Sequence, residues 1–352
     1  MKNLFIMHTQ YNLILSAAVL SKLPNSHNTL VLYSEFKVGG DIEETLSRVF
    51  DRVIFVRKEY RSILGVYKES KQTKAELLKT KEIWNEQFDC VYLSQERLFD
   101  MCLLKKIKRH NPSIKCYSVE EDVYYSVNNR YNAPNYVHKT GLKKKAYGLI
   151  SKALMLPYSC SYLEDIYCYA MNSVVDGVHL LFPDLARREI ASKELIEISN
   201  QQLLDGINSI YGDKKTEYPQ AESYAIMFFD LMSRYKNKEL VSQISLQFIK
   251  QCEEKGIQVL MKYHPRETEK FDIKGVCEID QLIPGEKVLA DLHGKNAIVF
   301  GNATTSCTVA AKLGYKVISI AKIERPENET LHTALEKMNI KCINNITDLK
   351  EI

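Results

Sequence analysis

The chain has 352 residues, which is too long for one ordinary hydrophobic core, so two domains are expected. An apolar content of 45% and a charged content of 26% are those of a globular protein. A net charge of +4 is too weak to indicate a nucleic-acid partner, and no RNA-binding or base-stacking motif is present.

The cysteines and the apolar runs limit the class further. The nine cysteines are spread singly with no Cys-x-x-Cys pair, which favours reduced core thiols over a disulfide or zinc framework. No apolar run reaches the ~18 residues of a membrane span, and the run at the N-terminus is too short for a signal peptide. A cytoplasmic location is therefore predicted.

The first half alternates apolar, strand-like runs with helical patterns. Strands are predicted at 3–7, 29–33, 53–56, 90–93 and 114–119, with helices between them at about 11–22, 41–49, 69–84 and 97–109. This alternation predicts a doubly wound parallel sheet, whose right-handed crossovers bring the loop after each strand to one edge of the sheet, where ligands bind. The absence of a G-x-G-x-x-G or Walker A sequence disfavours dinucleotide and P-loop sites.

Polar residues follow the first and fifth of these strands. Glu120, Glu121 and Asp122 are adjacent carboxylates, whose mutual repulsion raises at least one pKa and marks a candidate general base. A solvated acidic turn is the alternative. After the first strand, His8 and Thr9 either line the same ligand-binding edge or serve the next helix, with Thr9 as its N-cap.

The middle of the chain departs from this alternation. Residues 124–136 are rich in Tyr and Asn, which suits a loop that holds a sugar. The lysine-rich segment Lys139–Lys152 is either a contact with an anionic membrane surface or a solvated lysine face. A further strand is predicted over 165–171, and a helix over about 187–209 is predicted to cross between the domains.

The second half repeats the alternation and predicts a second sheet. Its strands are expected at 224–229, 258–262, 276–278, 297–301 and 316–321, with helices at about 237–255, after residue 302, and at 329–338. A last strand and helix follow.

One of these strands ends on a His-Pro pair, because proline cannot continue the hydrogen-bond ladder of a strand. His264 therefore lies at the carboxyl end of the strand over 258–262, next to Pro265 and with Lys262 and Arg266 two residues away on either side. An imidazole between two cations suits an anionic ligand, most simply a phosphate. A surface histidine in a polar turn is the alternative.

The strand over 297–301 leads directly into a second candidate phosphate site. Gly301 is followed by Asn-Ala and then by Thr304, Thr305 and Ser306 at the start of a helix. Free N–H groups at a helix N-terminus bind phosphate, and small hydroxyl residues add donors. An ordinary N-cap needs only one hydroxyl, so three in a row favour the phosphate site.

Glu286 precedes this turn in the sequence Pro284-Gly285-Glu286. It either accepts hydrogen bonds from ribose hydroxyls or is a first-turn residue that favours a helix dipole. The chain contains no Asp-x-Asp, the site with which a transferase usually holds a diphosphate sugar through Mg²⁺. This favours a donor with less charge, such as a nucleoside monophosphate sugar.

Together these motifs resemble the bacterial sialyltransferases of the GT-B type, namely the lipooligosaccharide sialyltransferase, capsule sialyltransferase and polysialyltransferase families. Their acidic D/E-D/E-G motif is similar to Glu120-Glu121-Asp122, and their HP motif to His264-Pro265. Their Ser-Ser/Thr motif is similar to Thr304-Thr305-Ser306, and their Pro-x-Glu element to Pro284-Gly285-Glu286. The acidic motif lacks its glycine, so the base stays open between the two glutamates.

The resemblance implies an α/β fold of the GT-B type, with two doubly wound Rossmann-like domains facing a central cleft. Residues 1–185 would form the acceptor-side domain and residues 186–352 the domain that binds the CMP donor. The implied activity is inverting and metal-independent: sialic acid, or a related nonulosonic acid, moves from CMP-sialic acid to a hydroxyl of a bacterial capsule or lipooligosaccharide. No cofactor is implied.

The same resemblance implies roles for the site residues. Glu120 or Glu121 would deprotonate the acceptor hydroxyl, and His264 would stabilise or protonate the departing CMP phosphate. Glu286 would bind the ribose. The predicted donor-binding set is Lys262, Pro265, Arg266, Glu286, Gly301, Thr304, Thr305 and Ser306.

Two alternatives to this function stay open. The first is a GT-B transferase that uses CMP-Kdo or a UDP-sugar, and the second is a catalytically idle scaffold subunit of a capsule assembly complex. The expected partners are a CMP-sugar donor and a glycan acceptor, with no nucleic acid. A homodimer and a peripheral position at the inner face of the cell membrane are also left open.

Overall fold

The structure is a computed structural model that describes residues 1–34, 40–57, 66–121, 148–150, 152–157, 170–271, 273 and 275–351. The chain divides into two compact units, Met1–Ile210 and Tyr211–Ile352. Each unit is built on one parallel sheet with helices between most of the successive strands, which confirms the predicted pair of Rossmann-like α/β domains.

The first unit contains a sheet of seven parallel strands. They are β1 (Lys2–Met7), β2 (His27–Ser34), β3 (Arg52–Arg57), β4 (Cys90–Leu93), β5 (Lys115–Val119), β6 (Gly177–Leu180) and β7 (Glu194–Glu197). Their order is β3-β2-β1-β4-β5-β6-β7. The order reverses direction between β1 and β4, and such a switch point is where open α/β sheets bind ligands.

Helices connect these strands. They are α1 (Gln10–Leu20), α2 (Gly40–Val49), α3 (Val66–Leu78), α4 (Leu98–Lys108) and α5 (Asn200–Tyr211), with short 3-10 turns at Lys81–Ile83, Pro183–Leu185 and Arg188–Ile190.

The first strand and helix show why the sequence predicts this unit well. Leu4, Phe5 and Ile6 are fully buried in β1, because a central strand of a parallel sheet is covered on both faces. The hydroxyl of Thr9 then accepts a hydrogen bond from the amide of Asn12 at 3.2 Å, and the Asn12 side chain accepts one from the Thr9 amide at 3.0 Å. Thr9 is therefore the N-cap of α1, as one of the two alternatives predicts.

The boundary between the compact units lies between Ile210 and Tyr211, whereas the sequence predicts it after residue 185. The predicted crossing helix over 187–209 is instead β7 followed by α5, and β7 pairs with β6 in the first sheet. Gly206 lets α5 approach α1 closely, because an added Cβ would lie 2.4 Å from the carbonyl oxygen of Ile14. This packing joins the segment to the first unit.

The second unit contains a sheet of six parallel strands. They are β8 (Ser223–Phe228), β9 (Gln258–Lys262), β10 (Cys277–Glu278), β11 (Asn296–Gly301), β12 (Lys316–Ser319) and β13 (Ile340–Cys342). Their order is β10-β9-β8-β11-β12-β13, so the switch point lies between β8 and β11.

The helices of the second unit pack on this sheet; for example, the rings of Phe248 and Phe300 stack with centroids 4.4 Å apart. The helices are α6 (Lys238–Glu254), α7 (Gly285–Asp291), α8 (Thr305–Lys312), α9 (Ala321–Glu324) and α10 (Glu329–Lys337), with 3-10 turns at Met232–Arg234 and Ile346–Glu351.

Several predicted features fall outside the described residues. These are Asp122, the sugar-holding loop over 124–136, most of the Lys139–Lys152 segment, and nearly all of the strand over 165–171. In the described part that follows the lysines, Leu149 and Met155 are 71% and 82% exposed. Within the described ranges, no helix has both the length and the apolar character needed to cross a membrane.

Candidate functional site

His264 lies two residues beyond the end of β9 and is partly exposed. Its Nδ1 accepts a hydrogen bond from the backbone amide of Arg266 at 3.1 Å, so the proton of the neutral ring is on Nε2. Burial, and after it the charge of Arg266, lowers the pKa of His264 to about 4. At neutral pH the ring therefore offers an N–H donor rather than a positive charge.

Lys262, the last residue of β9, points into the protein and is only 4% exposed. Its Nζ donates to the carbonyl oxygens of Tyr263 and Gln281, both at 3.0 Å. Burial lowers the pKa of Lys262 to about 8, against the attraction of Glu286 and two other carboxylates. The ammonium group therefore fastens the loop after β10 to the end of β9.

The turn from β11 into α8, Gly301–Ser306, is called here the hydroxyl turn. Thr304 is the N-cap of α8, because its hydroxyl accepts a hydrogen bond from the amide three residues on, at 3.3 Å. Thr305 and Ser306 form the first turn of α8 and are partly exposed. Gly301 allows close packing on β8, since an added Cβ would lie 2.8 Å from the carbonyl oxygen of Phe228.

The three hydroxyls of this turn have different partners. Ser306 Oγ donates to Oε1 of Glu286 at 3.1 Å, and Thr304 caps the helix. Within the part of the chain that the structure describes, the hydroxyl of Thr305 makes no hydrogen bond. Thr305 is thus the hydroxyl of the three that is open to a ligand.

Glu286 lies in the first turn of α7, the position that the helix-dipole alternative predicts, and is 9% exposed. Burial raises the pKa of Glu286, although its own backbone amide, the hydroxyl of Ser306 and the charge of Lys262 lower it. Contact with a ribose stays a prediction.

The register of the sheet places another residue at the same edge. Phe228 of β8 pairs with Lys262 of β9 on one side and with Gly301 of β11 on the other. Asp230 follows Phe228 by two residues, as His264 follows Lys262. Asp230 therefore lies at the switch point, between the His264 turn and the hydroxyl turn.

Asp230 and its partner Arg234 are absent from the sequence-based set of site residues. Oδ1 of Asp230 accepts a hydrogen bond from the amide of Leu231 at 2.8 Å and lies 3.0 Å from Nη1 of Arg234. The Asp230 side chain is 11% exposed and that of Arg234 is 52% exposed. A signal was present in the sequence, because a charged residue directly follows the strand predicted over 224–229.

The loop that carries this pair, residues 229–237, is held by the turn after β9 and by helix α9. The amide of Met232 donates to the carboxylate of Glu267 in the turn after β9, which also accepts two amides of its own turn at 2.8 Å each. The amide of Lys236 donates to Glu324 of α9 at 3.0 Å. The position of the pair is therefore fixed before any ligand binds.

In the first unit, Glu120 follows β5 and is 3% exposed. Its Oε1 accepts a hydrogen bond from the hydroxyl of Tyr11 in α1 at 3.2 Å. Its Oε2 accepts one from the amide of Leu181, just after β6, at 2.9 Å. The carboxylate thus joins three parts of the first unit at the carboxyl ends of the strands.

Glu121 differs from its neighbour because it is partly exposed. The side-chain amide of Gln95, a fully buried residue just after β4, donates to Oε1 of Glu121. The structure therefore separates the two glutamates that the sequence leaves equivalent. Glu120 is an interior group with both carboxylate oxygens hydrogen-bonded, whereas Glu121 is partly exposed as a residue, with its Oε2 buried.

His8 is buried rather than exposed at the ligand edge. Its Nε2 lies 2.7 Å from Oδ1 of Asp100, and both side chains are 0% exposed. Oδ2 of Asp100 accepts the amide of Arg97 at 2.9 Å, at the start of α4. Among the described residues, no group of three or more His, Cys, Asp or Glu side chains is placed to hold a metal ion.

No protein-family model matches the chain, and no curated protein matches its sequence. Solved structures do match. UDP-GlcNAc 2-epimerase from Neisseria meningitidis bound to UDP-GlcNAc has a TM-score of 0.57 at 13% identity, over 100% of this chain and 90% of that chain. The Methanocaldococcus jannaschii UDP-GlcNAc 2-epimerase has a TM-score of 0.55 at 13% identity, over 97% and 93%.

A transferase matches equally well. The glycotransferase of kitacinnamycin has a TM-score of 0.57 at 10% identity, over 98% of this chain and 86% of that chain. Similarity at this level of identity shows the fold, so the chain has the GT-B fold of nucleotide-sugar glycosyltransferases. The fold is shared by epimerases and transferases, and function therefore has to be argued from the site.

Proposed function

We propose that the chain is an inverting, metal-independent glycosyltransferase. It moves sialic acid, or a related nonulosonic acid, from CMP-sialic acid to a hydroxyl of a bacterial surface glycan. The observation that carries this proposal is one edge of the second sheet, in which β8 lies between β9 and β11. A neutral His264 follows β9 at this edge, and the hydroxyl turn follows β11. The resemblance of the motifs to sialyltransferases supplies the donor.

The donor phosphate binds at this edge. The N–H groups at the start of α8 and the open hydroxyl of Thr305 donate to its oxygens, and Nε2–H of His264 donates to the oxygen that leaves the sugar. Negative charge grows on that oxygen as its bond to the sugar breaks, so these donors bind the transition state more strongly than the ground state. CMP is the leaving group.

Glu121 is the general base of this mechanism. It accepts the proton of the acceptor hydroxyl while that oxygen forms a bond to the anomeric carbon. Glu120 holds the chain after β5 in place through Tyr11 and Leu181. This assignment uses the difference in exposure of the two residues and the two hydrogen bonds that occupy the Glu120 carboxylate.

The test is an incubation with CMP-sialic acid and a panel of galactose-ended and sialic-acid-ended glycans, read by mass spectrometry. Glu121→Gln is expected to lower the transfer rate by about 100-fold or more, because it removes the base, with little change in stability. His264→Ala is expected to abolish transfer as well. Glu120→Gln serves as the matched variant and is expected to lower stability, since an amide cannot accept both of its hydrogen bonds. Full activity in Glu121→Gln and His264→Ala would contradict the mechanism.

A UDP-sugar donor is the second candidate, and it is favoured by the two matching structures named for UDP-GlcNAc. Calorimetry with CMP and with UDP separates the two donors, since the sialyltransferase proposal requires tighter binding of CMP. CMP-Kdo and CMP-sialic acid share the same nucleotide, so distinguishing them requires binding measurements with the intact sugar donors. An idle scaffold subunit would bind neither nucleotide.

A further part of the proposal concerns the cell membrane. Met155 and Leu149 are, with Leu282, the three most exposed large apolar side chains of the described residues, and they follow Lys143, Lys144 and Lys145 in the sequence. Basic residues beside exposed apolar ones bind anionic lipid surfaces. We infer that this segment contacts the inner face of the membrane, where a surface glycan is assembled.

A further inference from the structure

The edge of the second sheet that carries the His264 turn, Asp230 and the hydroxyl turn is called here the donor edge. Arg234, a cation at this edge, has no role in the mechanism above. Nη1 of Arg234 lies 3.0 Å from Oδ1 and 3.4 Å from Oδ2 of Asp230. Within the described residues, no hydrogen bond uses Nε or Nη2 of Arg234, and its side chain is 52% exposed. Asp230 therefore holds one end of a guanidinium group whose other donors are open to solvent.

Its location is that of a ligand-binding group. The loop 229–237 follows β8, the strand at the switch point, and the carboxylates of Glu267 and Glu324 hold its backbone. The low pKa of His264 has burial as its main cause, but the charge of Arg234 also lowers it and the charge of Asp230 raises it. The pair thus lies within electrostatic range of the His264 ring.

The proposed chemistry also needs a cation here. Transfer without a metal leaves the charge of the phosphate to be neutralised by protein groups. His264 is neutral at pH 7, and the ammonium of Lys262 is buried against two carbonyl oxygens. Arg234 and Arg266 are the two arginines described at this edge, and Arg234 is the one that a buried carboxylate orients.

We propose that Arg234, oriented by Asp230, binds a phosphate oxygen of the nucleotide-sugar donor. The planar guanidinium suits this task, because it pairs with two oxygens at once and stays charged at all relevant pH values. Asp230 and the fixed loop reduce the entropy lost on binding. The identity of the donor rests on the proposed function, whereas the contact itself requires only that this edge binds a nucleotide phosphate.

The experiment is calorimetry of CMP and UDP binding to the full chain. Arg234→Gln is expected to weaken the affinity for the better of the two nucleotides by about 10-fold to 100-fold, as loss of a charge-assisted pair does. Arg234→Lys keeps the charge without the planar fork and is expected to recover part of that loss. Lys238→Gln is the matched control, because Lys238 lies four residues away in an exposed ion pair with Glu269; it should change affinity by less than about twofold.

A double-mutant cycle tests the role of Asp230. Asp230→Asn alone is expected to weaken binding by about 3-fold to 10-fold, because it frees the guanidinium, and to add nothing to Arg234→Gln. Arg234→Gln should also raise the pKa of His264 in the free protein, read by NMR, while the melting temperature stays unchanged. A substitution that only destabilised the protein would not give weaker nucleotide binding and a raised His264 pKa at an unchanged melting temperature.

The outcomes separate this inference from the proposed function. If Arg234→Gln binds nucleotide like the wild type while Thr305→Ala or His264→Ala binds more weakly, the Arg234 contact is refuted and the transferase stands. If Arg234→Gln weakens binding but the wild type transfers no sugar, the contact stands and the transferase falls. If the wild type binds neither nucleotide at millimolar concentration, both are refuted.

Discussion

Lys262→Met tests the cost of a buried charge at the donor edge. The pKa of Lys262 is about 8 in the folded protein, against an ordinary value of 10.5. At 1.36 kcal/mol for each pKa unit, keeping the group protonated when folded costs about 3 kcal/mol below pH 8. Between pH 8 and pH 10.5 the unfolded chain holds more protons than the folded one, so stability rises with pH. Above pH 10.5 the lysine is neutral in both states and the cost is gone.

The measurement is urea unfolding of both proteins across this pH range. It is followed by circular dichroism, which includes the second unit, whereas fluorescence of the one tryptophan, Trp84, would report on the first unit alone. The free energy of unfolding of the wild type minus that of Lys262→Met should climb by about 3 kcal/mol from pH 8 to pH 10.5, since other titrations cancel in the difference. Lys295→Met, at an exposed position, should give a flat difference. A flat curve for Lys262→Met as well would refute the reasoning.

Three further predictions concern stability and location. Asp100→Ala should lower the free energy of unfolding by about 3–5 kcal/mol, because it leaves His8 buried without its carboxylate; urea unfolding measures this. Gly301→Ala should cost about 1–3 kcal/mol in the same assay and weaken nucleotide binding, since the added methyl would lie 2.8 Å from a carbonyl oxygen. Leu149→Glu with Met155→Glu should abolish co-sedimentation with anionic vesicles, and unchanged binding would contradict the membrane contact.

The central strands could be predicted because burial on both faces makes them continuous apolar runs. β9 was predicted at residues 258–262, the range that the structure gives. β7 was missed for the opposite physical reason: it is a four-residue strand at the edge of the sheet, with charged, exposed residues at both ends. Because this segment has no apolar run, the sequence predicts a single helix over 187–209 and places the domain boundary before it, after residue 185.

The positions of the candidate site residues could be predicted where the local sequence marks the end of a strand. His264-Pro265 and the Gly301–Ser306 turn both combine a strand with a residue that stops it. Asp230 was missed because no proline or glycine follows β8, although the register makes it equivalent to His264. The inward direction of Lys262 could not be predicted, because a polar residue at the end of a doubly covered strand has no alternation pattern to assign its face.

The shared carboxylate of Glu267 has a consequence for exchanging loops at this edge of the second sheet. It accepts amides from its own turn and from Met232 of the adjacent loop, so the backbones of the two segments are held as a matched pair. Grafting either segment alone from another protein of this fold would leave unpaired amides at the graft junction. A productive chimera would exchange residues 229–237 and 263–269 in one step.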